Sequence, residues 1–170
     1  MNVFLSIRVL HILLAATWFG GAFVMIFFVV PAIKDARGAG GAVMAGVQRR
    51  KYHAFMQAIA GLTILSGFYL YWRFTGGFDP TLSGSLAGRV FGAGGVAGLL
   101  ALIVGASVVG RTMAKVGEIV TRAQALPDGA EKAALMQSVG PLQNRAELFG
   151  KIVILLMVIA IVCMSVGHYV

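Results

Sequence analysis

The chain has 170 residues, 59% of them hydrophobic and only 12% charged, with a formal net charge of +8. This composition excludes an ordinary soluble domain, in which about a quarter of residues are charged. The basic excess does not indicate nucleic acid, because the supporting aromatic residues and motifs are missing. The single cysteine, Cys163, excludes an intramolecular disulfide and a cysteine metal cluster, and reads as a small apolar filler.

Four long apolar stretches run over approximately 3–31, 52–72, 86–110 and 152–170. Each approaches or exceeds the ~20 residues that a helix needs to cross a bilayer. Helices are the required form, since hydrocarbon offers no partner to open backbone groups. The expected architecture is all-α: an integral membrane four-helix bundle that forms one domain over 1–170. The first stretch is too long for a signal peptide and has no small-residue cleavage site before a soluble domain, so it reads as a retained helix. It is expected to stop at Pro31, which lacks an N–H and restricts the residue before it.

Further along, 38–41 (Gly-Ala-Gly-Gly) reads as flexible, and 43–50 as helix-compatible, leading into the second helix. Tyr69, Tyr71 and Trp72 close that helix as an aromatic belt. Residues 73–85 form a turn region rich in Gly, Pro, Thr and Ser. The third helix is rich in glycine: Gly84, Gly88 and Gly92 fall four apart, as do Gly94 and Gly98, followed by Gly105. Such spacing suits close helix packing, a homodimer or larger-complex interface, or a face kept thin for a cofactor. The segment 111–151 is too long to be structureless. Amphipathic spacing over 113–126, a turn at Pro127-Asp128-Gly129 and a second helical piece over 130–139 capped by Asp128 predict a helical extension between helices three and four. A partner could dock there, although no residue singles one out.

The first loop holds Lys34, Arg37, Arg49, Arg50 and Lys51. The third holds Arg111, Lys115, Arg122, Lys132, Arg145 and Lys151. Only Arg8, Arg73 and Arg89 lie elsewhere. This asymmetry predicts cytoplasmic loops and both termini outside, with anionic lipid as a further contact of the basic residues.

Three histidines carry the candidate chemistry: His11, His53 and His168. A histidine inside an apolar span is a functional-site hypothesis unless another helix satisfies it, and for His11 both readings stand. At helical spacing His11 shares a stripe with Ala15, Trp18 and Ala22, with Gly21 beside them. His168 falls at the same membrane face as His11, where it pairs with water, headgroups or a shared metal. His53, beside Arg49, Arg50 and Lys51, falls at the opposite face and reads as interfacial. A three-histidine zinc site is therefore not expected, whereas a two-histidine site for haem iron or copper is open. Gln57 reads as interhelical glue. All six acids lie outside the spans, which disfavours a proton relay or cation pathway.

The run Leu10-His11-Ile12-Leu13, followed by Ala15-Ala16-Thr17-Trp18-Phe19-Gly20-Gly21, resembles the first helix of the copper-resistance-D-like membrane proteins and of the related J-type protoporphyrinogen oxidase family. Arg49-Arg50-Lys51-Tyr52 is similar to the second family's basic entry into helix two, and Met164-Ser165-Val166-Gly167-His168-Tyr169 to the final helix of small members. The resemblance implies b-type haem or copper bound through His11, with His168 as partner. Trp18, Ala15 and Ala22 would wall the pocket, and Arg8 or Arg89 would pair propionates. It also implies a lysine in helix three, where this chain offers only Arg89, which neither ligates nor readily gives up its proton. The expected function is a redox-related haem or copper protein of a bacterial-type inner membrane. The alternatives are a non-catalytic subunit of a larger membrane complex and a protoporphyrinogen oxidase.

Overall fold

The computed structural model describes residues 2–36 and 40–170; the start of the 38–41 segment, expected to be flexible, lies outside the described residues. Among them every regular element is helical. Seven helices follow in chain order: α1 Val3–Asp35, α2 Gly40–Arg49, α3 Tyr52–Phe74, α4 Pro80–Gly84, α5 Leu86–Gln124, α6 Ala130–Gln137 and α7 Val139–Val166. Four of the helical segments are long and apolar enough to span a membrane. Large apolar side chains on all four face outward, among them Leu13, Leu65, Phe68, Val96 and Leu155. Water would penalise such a surface and lipid does not.

Local signals set the starts. The Asn2 side chain accepts from the Phe4 amide, Asp79 from the Thr81 and Leu82 amides, and Ser85 from the Gly88 amide. These caps satisfy N–H groups that have no intrahelical partner. Between α3 and α4 the chain turns through Gly76 (φ 61°) and Gly77 (φ 87°), where a side chain would be strained.

Pro31 does not end the first helix, contrary to expectation. A π-turn over Met25–Val29 precedes it, and α1 continues to Asp35. The Val30 amide reaches back to the Met25 carbonyl, so the ladder is already widened where the ring of Pro31 enters and the missing N–H is tolerated. A second π-turn, Gly105–Gly110, lies within α5. The helix that carries the third span likewise runs past 110 to Gln124, and the helix that carries the fourth starts at Val139, well before the apolar run from 152, and ends at Val166. At 39 residues, α5 is about 58 Å long at 1.5 Å per residue, well beyond a ~30 Å hydrocarbon layer. The predicted extension is thus a hairpin of α5, α6 and α7. Asp128 does not cap α6, which Gly129 precedes; its carboxylate instead accepts from Lys132 at 2.7 Å.

Helix α1 packs chiefly on α3, and α5 on α7, with α3 against α5 joining the pairs. One buried cluster links all four: Trp18, Met56, Ala60, Ala101, Val153 and Met157. Glycines set the approach distances. A Cβ on Gly94 would stand 2.9 Å from Cβ of Cys163, one on Gly92 3.2 Å from the Tyr71 hydroxyl, and one on Gly98 3.4 Å from Ile64. The glycines at 92, 94 and 98 therefore receive side chains of this same chain. Gly84 and Gly95 face open space.

Two fastenings mark the ends of the molecule. At the end carrying both termini, Arg8 donates to Nε2 of His168 at 2.8 Å, and the His168 ring meets Phe91 edge-on. At the end carrying the long connections, Glu147 bridges Lys34 of α1 and Lys151 of α7. Glu147 precedes the apolar part of α7, and the hydrogen bonds from Lys151 and Lys34 hold its carboxyl down at about 2.

Candidate functional site

His11 sits in the third turn of α1 and projects onto α3. Its Nδ1 lies 3.0 Å from the Thr63 carbonyl and 3.0 Å from the Ser66 hydroxyl. A carbonyl only accepts, so Nδ1 carries the hydrogen and Nε2 the lone pair. The Ser66 hydroxyl donates to the Leu62 carbonyl at 2.7 Å, leaving its oxygen free to accept from His11. Gly67 completes the cradle: a Cβ there would fall 2.9 Å from Cε1 of the imidazole. Thr63, Ser66 and Gly67 share one face of α3 through i, i+3 and i+4 spacing. Nε2 of His11 makes no hydrogen bond to any described residue.

Chemically, this arrangement suits a ligating imidazole. A ligand histidine commonly has its other N–H fixed by a carbonyl, which sets the tautomer and ring orientation. The rest of the expected site is arranged differently. Nε2 of His168 accepts from Arg8, so its lone pair is engaged, and the Arg8 guanidinium is engaged with it. Arg89 is exposed and its Nε donates to the Gly84 carbonyl at 3.1 Å. Of the stripe beside His11, Trp18 is 8% exposed in the core cluster, and Ala22 packs against that cluster. Ala15 is half-buried. No group of three or more His, Cys, Asp or Glu stands together among the described residues.

A small open cleft does exist, but farther along the bundle. A cleft of about 120 Å³ opens where Trp18 and Ala22 of α1 face α3, α5 and α7. His11 and Ala15 do not line it. Its volume is below the ~150 Å³ of a cavity known to hold one benzene ring. A porphyrin therefore does not enter it, and haem or copper on His11 would have to sit outside this cleft.

The cleft holds residues that sequence reasoning assigned elsewhere. Tyr52, His53 and Gln57, all from the first two turns of α3, bring the polar atoms. The Tyr52 hydroxyl donates to the Gly21 carbonyl at 2.8 Å. The His53 ring lies on Gly110, where a Cβ would fall 2.7 Å from its Nε2. His53 thus touches α5 on one side while its side chain stays exposed, as expected of an interfacial residue. Gln57 makes no side-chain hydrogen bond to a described residue and bridges no helices. Both π-turns contribute walls: Met25 and Ile26 from the first, Gly105 and Val109 from the second. The i, i+4 pair His53 and Gln57 was visible in the sequence as two polar residues on one helical face. The π-turns had no such signal.

The other polar residues of the spans are satisfied within their own helices. The hydroxyls of Thr17, Thr63 and Ser107 donate to carbonyls four residues earlier. No family model matches this chain, and neither a curated protein nor a solved structure matches it.

Proposed function

We propose that the chain is a multi-pass protein of a bacterial-type inner membrane, with both termini outside the cytoplasm, in which His11 would hold a metal centre: b-type haem in the first instance, copper as the alternative. The orientation rests on the basic residues of 34–51 and 111–151. The ligand role rests on one observation: Nδ1–H of His11 is held by the Thr63 carbonyl and Ser66 while Nε2 keeps an unpartnered lone pair. Bound there, haem or copper would supply one-electron chemistry. The chain's own part is to fix the imidazole tautomer and keep the ring seated on Gly67. His168 becomes available as a second ligand only when Arg8 releases it.

The test is an absorption spectrum and metal content of the purified protein, oxidised and reduced. A Soret band or stoichiometric copper, lost in His11→Ala and weakened in Ser66→Ala, is the expected result. Protein without either overturns the ligand role. It would leave the reading of a non-catalytic subunit of a larger membrane complex.

A further inference from the structure

The basic residues at the end carrying the long connections are not equivalent. Four of them meet a carboxylate: Lys34 and Lys151 meet Glu147, Lys132 meets Asp128, and Arg122 lies 3.9 Å from Glu131. The exposed run Arg49-Arg50-Lys51 forms no ion pair among the described residues. Two of its guanidiniums nevertheless converge. Both pass over Gly46, where a Cβ would stand 3.5 Å from Nη1 of Arg50 and 3.9 Å from Nη2 of Arg49. Nη1 of Arg50 donates to the Gly46 carbonyl at 3.2 Å, which anchors the fork and leaves its other nitrogens without a described partner. Like charges brought this close repel, and an anion that both can reach turns the repulsion into attraction. Beside them runs an apolar groove of about 230 Å³, lined by Met25 and Val29 of α1, Val47 of α2, Arg50 just after it, and Tyr52 and Phe55 of α3. Among these residues only Arg50 is charged, and the Tyr52 hydroxyl is already bonded to the Gly21 carbonyl. The groove is open on its outer side, where Phe55 is exposed. That side belongs to two of the apolar spans, so hydrocarbon rather than water faces it. The basic run immediately precedes the second span, which sets the guanidiniums at the membrane boundary and the groove just inside it.

We infer that this groove holds an acyl chain of one anionic phospholipid, whose phosphate is bound by Arg49 and Arg50. Basic residues at a membrane surface attract such lipids without choosing a place. Here a pair of guanidiniums and an apolar groove fall together and define one seat. Arginine suits the head of that seat, because its planar fork meets two phosphate oxygens at once. The open outer side suits a chain that lies partly in the surrounding lipid. The inference rests neither on His11 nor on a metal centre.

Native mass spectrometry of the detergent-solubilised protein, titrated with phosphatidylglycerol or phosphatidylcholine, counts the bound lipids and gives their apparent Kd. The first phosphatidylglycerol should bind more tightly than later ones and more tightly than any phosphatidylcholine. Arg49→Gln and Arg50→Gln should each weaken that first site about fivefold, the usual worth of one basic residue near an anionic surface, and together roughly twenty-five-fold. Val47→Trp, which fills the groove from α2, should weaken both lipids by a similar factor. Arg122→Gln and Arg145→Gln, at the same end but not lining the groove, should leave the first site unchanged. Equal binding of the two lipids overturns the inference. So does indifference to the double arginine variant, or an equal loss from Arg122→Gln and Arg145→Gln. Displacement of the lipid by inorganic phosphate alone would reveal an anion site that needs no chain, and overturns the lipid assignment. Arg49→Gln and Val47→Trp act on head and chain separately, so failure of one variant to fold leaves the other to decide.

Discussion

The two ends of this molecule solve the problem of polar groups in an apolar surrounding in opposite ways. At the end carrying the termini, His11 is seated on Gly67 with its Nδ1 bonded, Arg8 is paired with His168, and Tyr71 donates to the Gly88 carbonyl while resting on Gly92. At the end carrying the long connections, two π-turns open the helices, a cleft remains, and the side chains of His53 and Gln57 are left without hydrogen bonds to described residues. Close packing around glycine closes the first end. The second end keeps a small open cleft instead. The lesson concerns histidines in membrane spans: the one that looks most functional in a linear reading is the one most completely held on one side by protein.

The sharpest way to break this comparison is to add the same side chain at each end. Gly94→Leu places its Cβ against Cys163 and the Ala160 carbonyl, and overpacking of this kind costs about 1–3 kcal/mol. Gly105→Leu grows into the cleft and is expected to cost clearly less. Denaturant unfolding in micelles measures both, and equal losses would erase the distinction between a packed end and an open one. Next in size is the pair of histidine truncations. His11→Ala removes a bonded imidazole from its cradle and should lower stability by about 1–2 kcal/mol. His53→Ala should change it by no more than about 0.5 kcal/mol, as for a site without a committed partner. A larger loss at His53 would mean that its contact with Gly110 is structural.

The smallest effect concerns the Glu147 bridge. The folded carboxyl is held at about 2, below the ~4.3 of an unfolded glutamate. Its contribution is therefore complete above pH ~4.3 and is lost as pH falls toward 2. Partly exposed ion pairs of this kind are worth about 1 kcal/mol or less. Amide exchange in 30–35 and 139–151, corrected for intrinsic rates, should rise over that pH range more than exchange in 3–14. Lys34→Ala should remove much of the difference. Equal acid loosening at both ends would show that the bridge is not what fastens the long connections.

Much of the fold was legible in the chain. The four spans, their helical form and the helical extension between the third and fourth follow from apolar runs, from amphipathic spacing over 113–126 and from the turn at Pro127-Asp128-Gly129. These are local properties. The continuation of α1 through Pro31 was not legible, because no local pattern in the sequence marks the π-turn over Met25–Val29 that accommodates it. Asp128 read as a cap, whereas Lys132, one turn later, offered its carboxylate a full charge.

The candidate site divides in the same way. The sequence by itself determined that His11 shares a stripe with Ala15, Trp18 and Ala22, and that His53 and Gln57 share another, since a helix period of 3.6 residues leaves no choice. Only the tertiary structure decided which of these faces is closed. Thr63 and Gly67 are more than fifty positions from His11, and Gly110 is as far from His53. Whether a glycine notch receives a ring, or a carbonyl meets an imidazole, depends on helix pairing and register. Those are set by the summed packing of all four long helices and by no single local pattern.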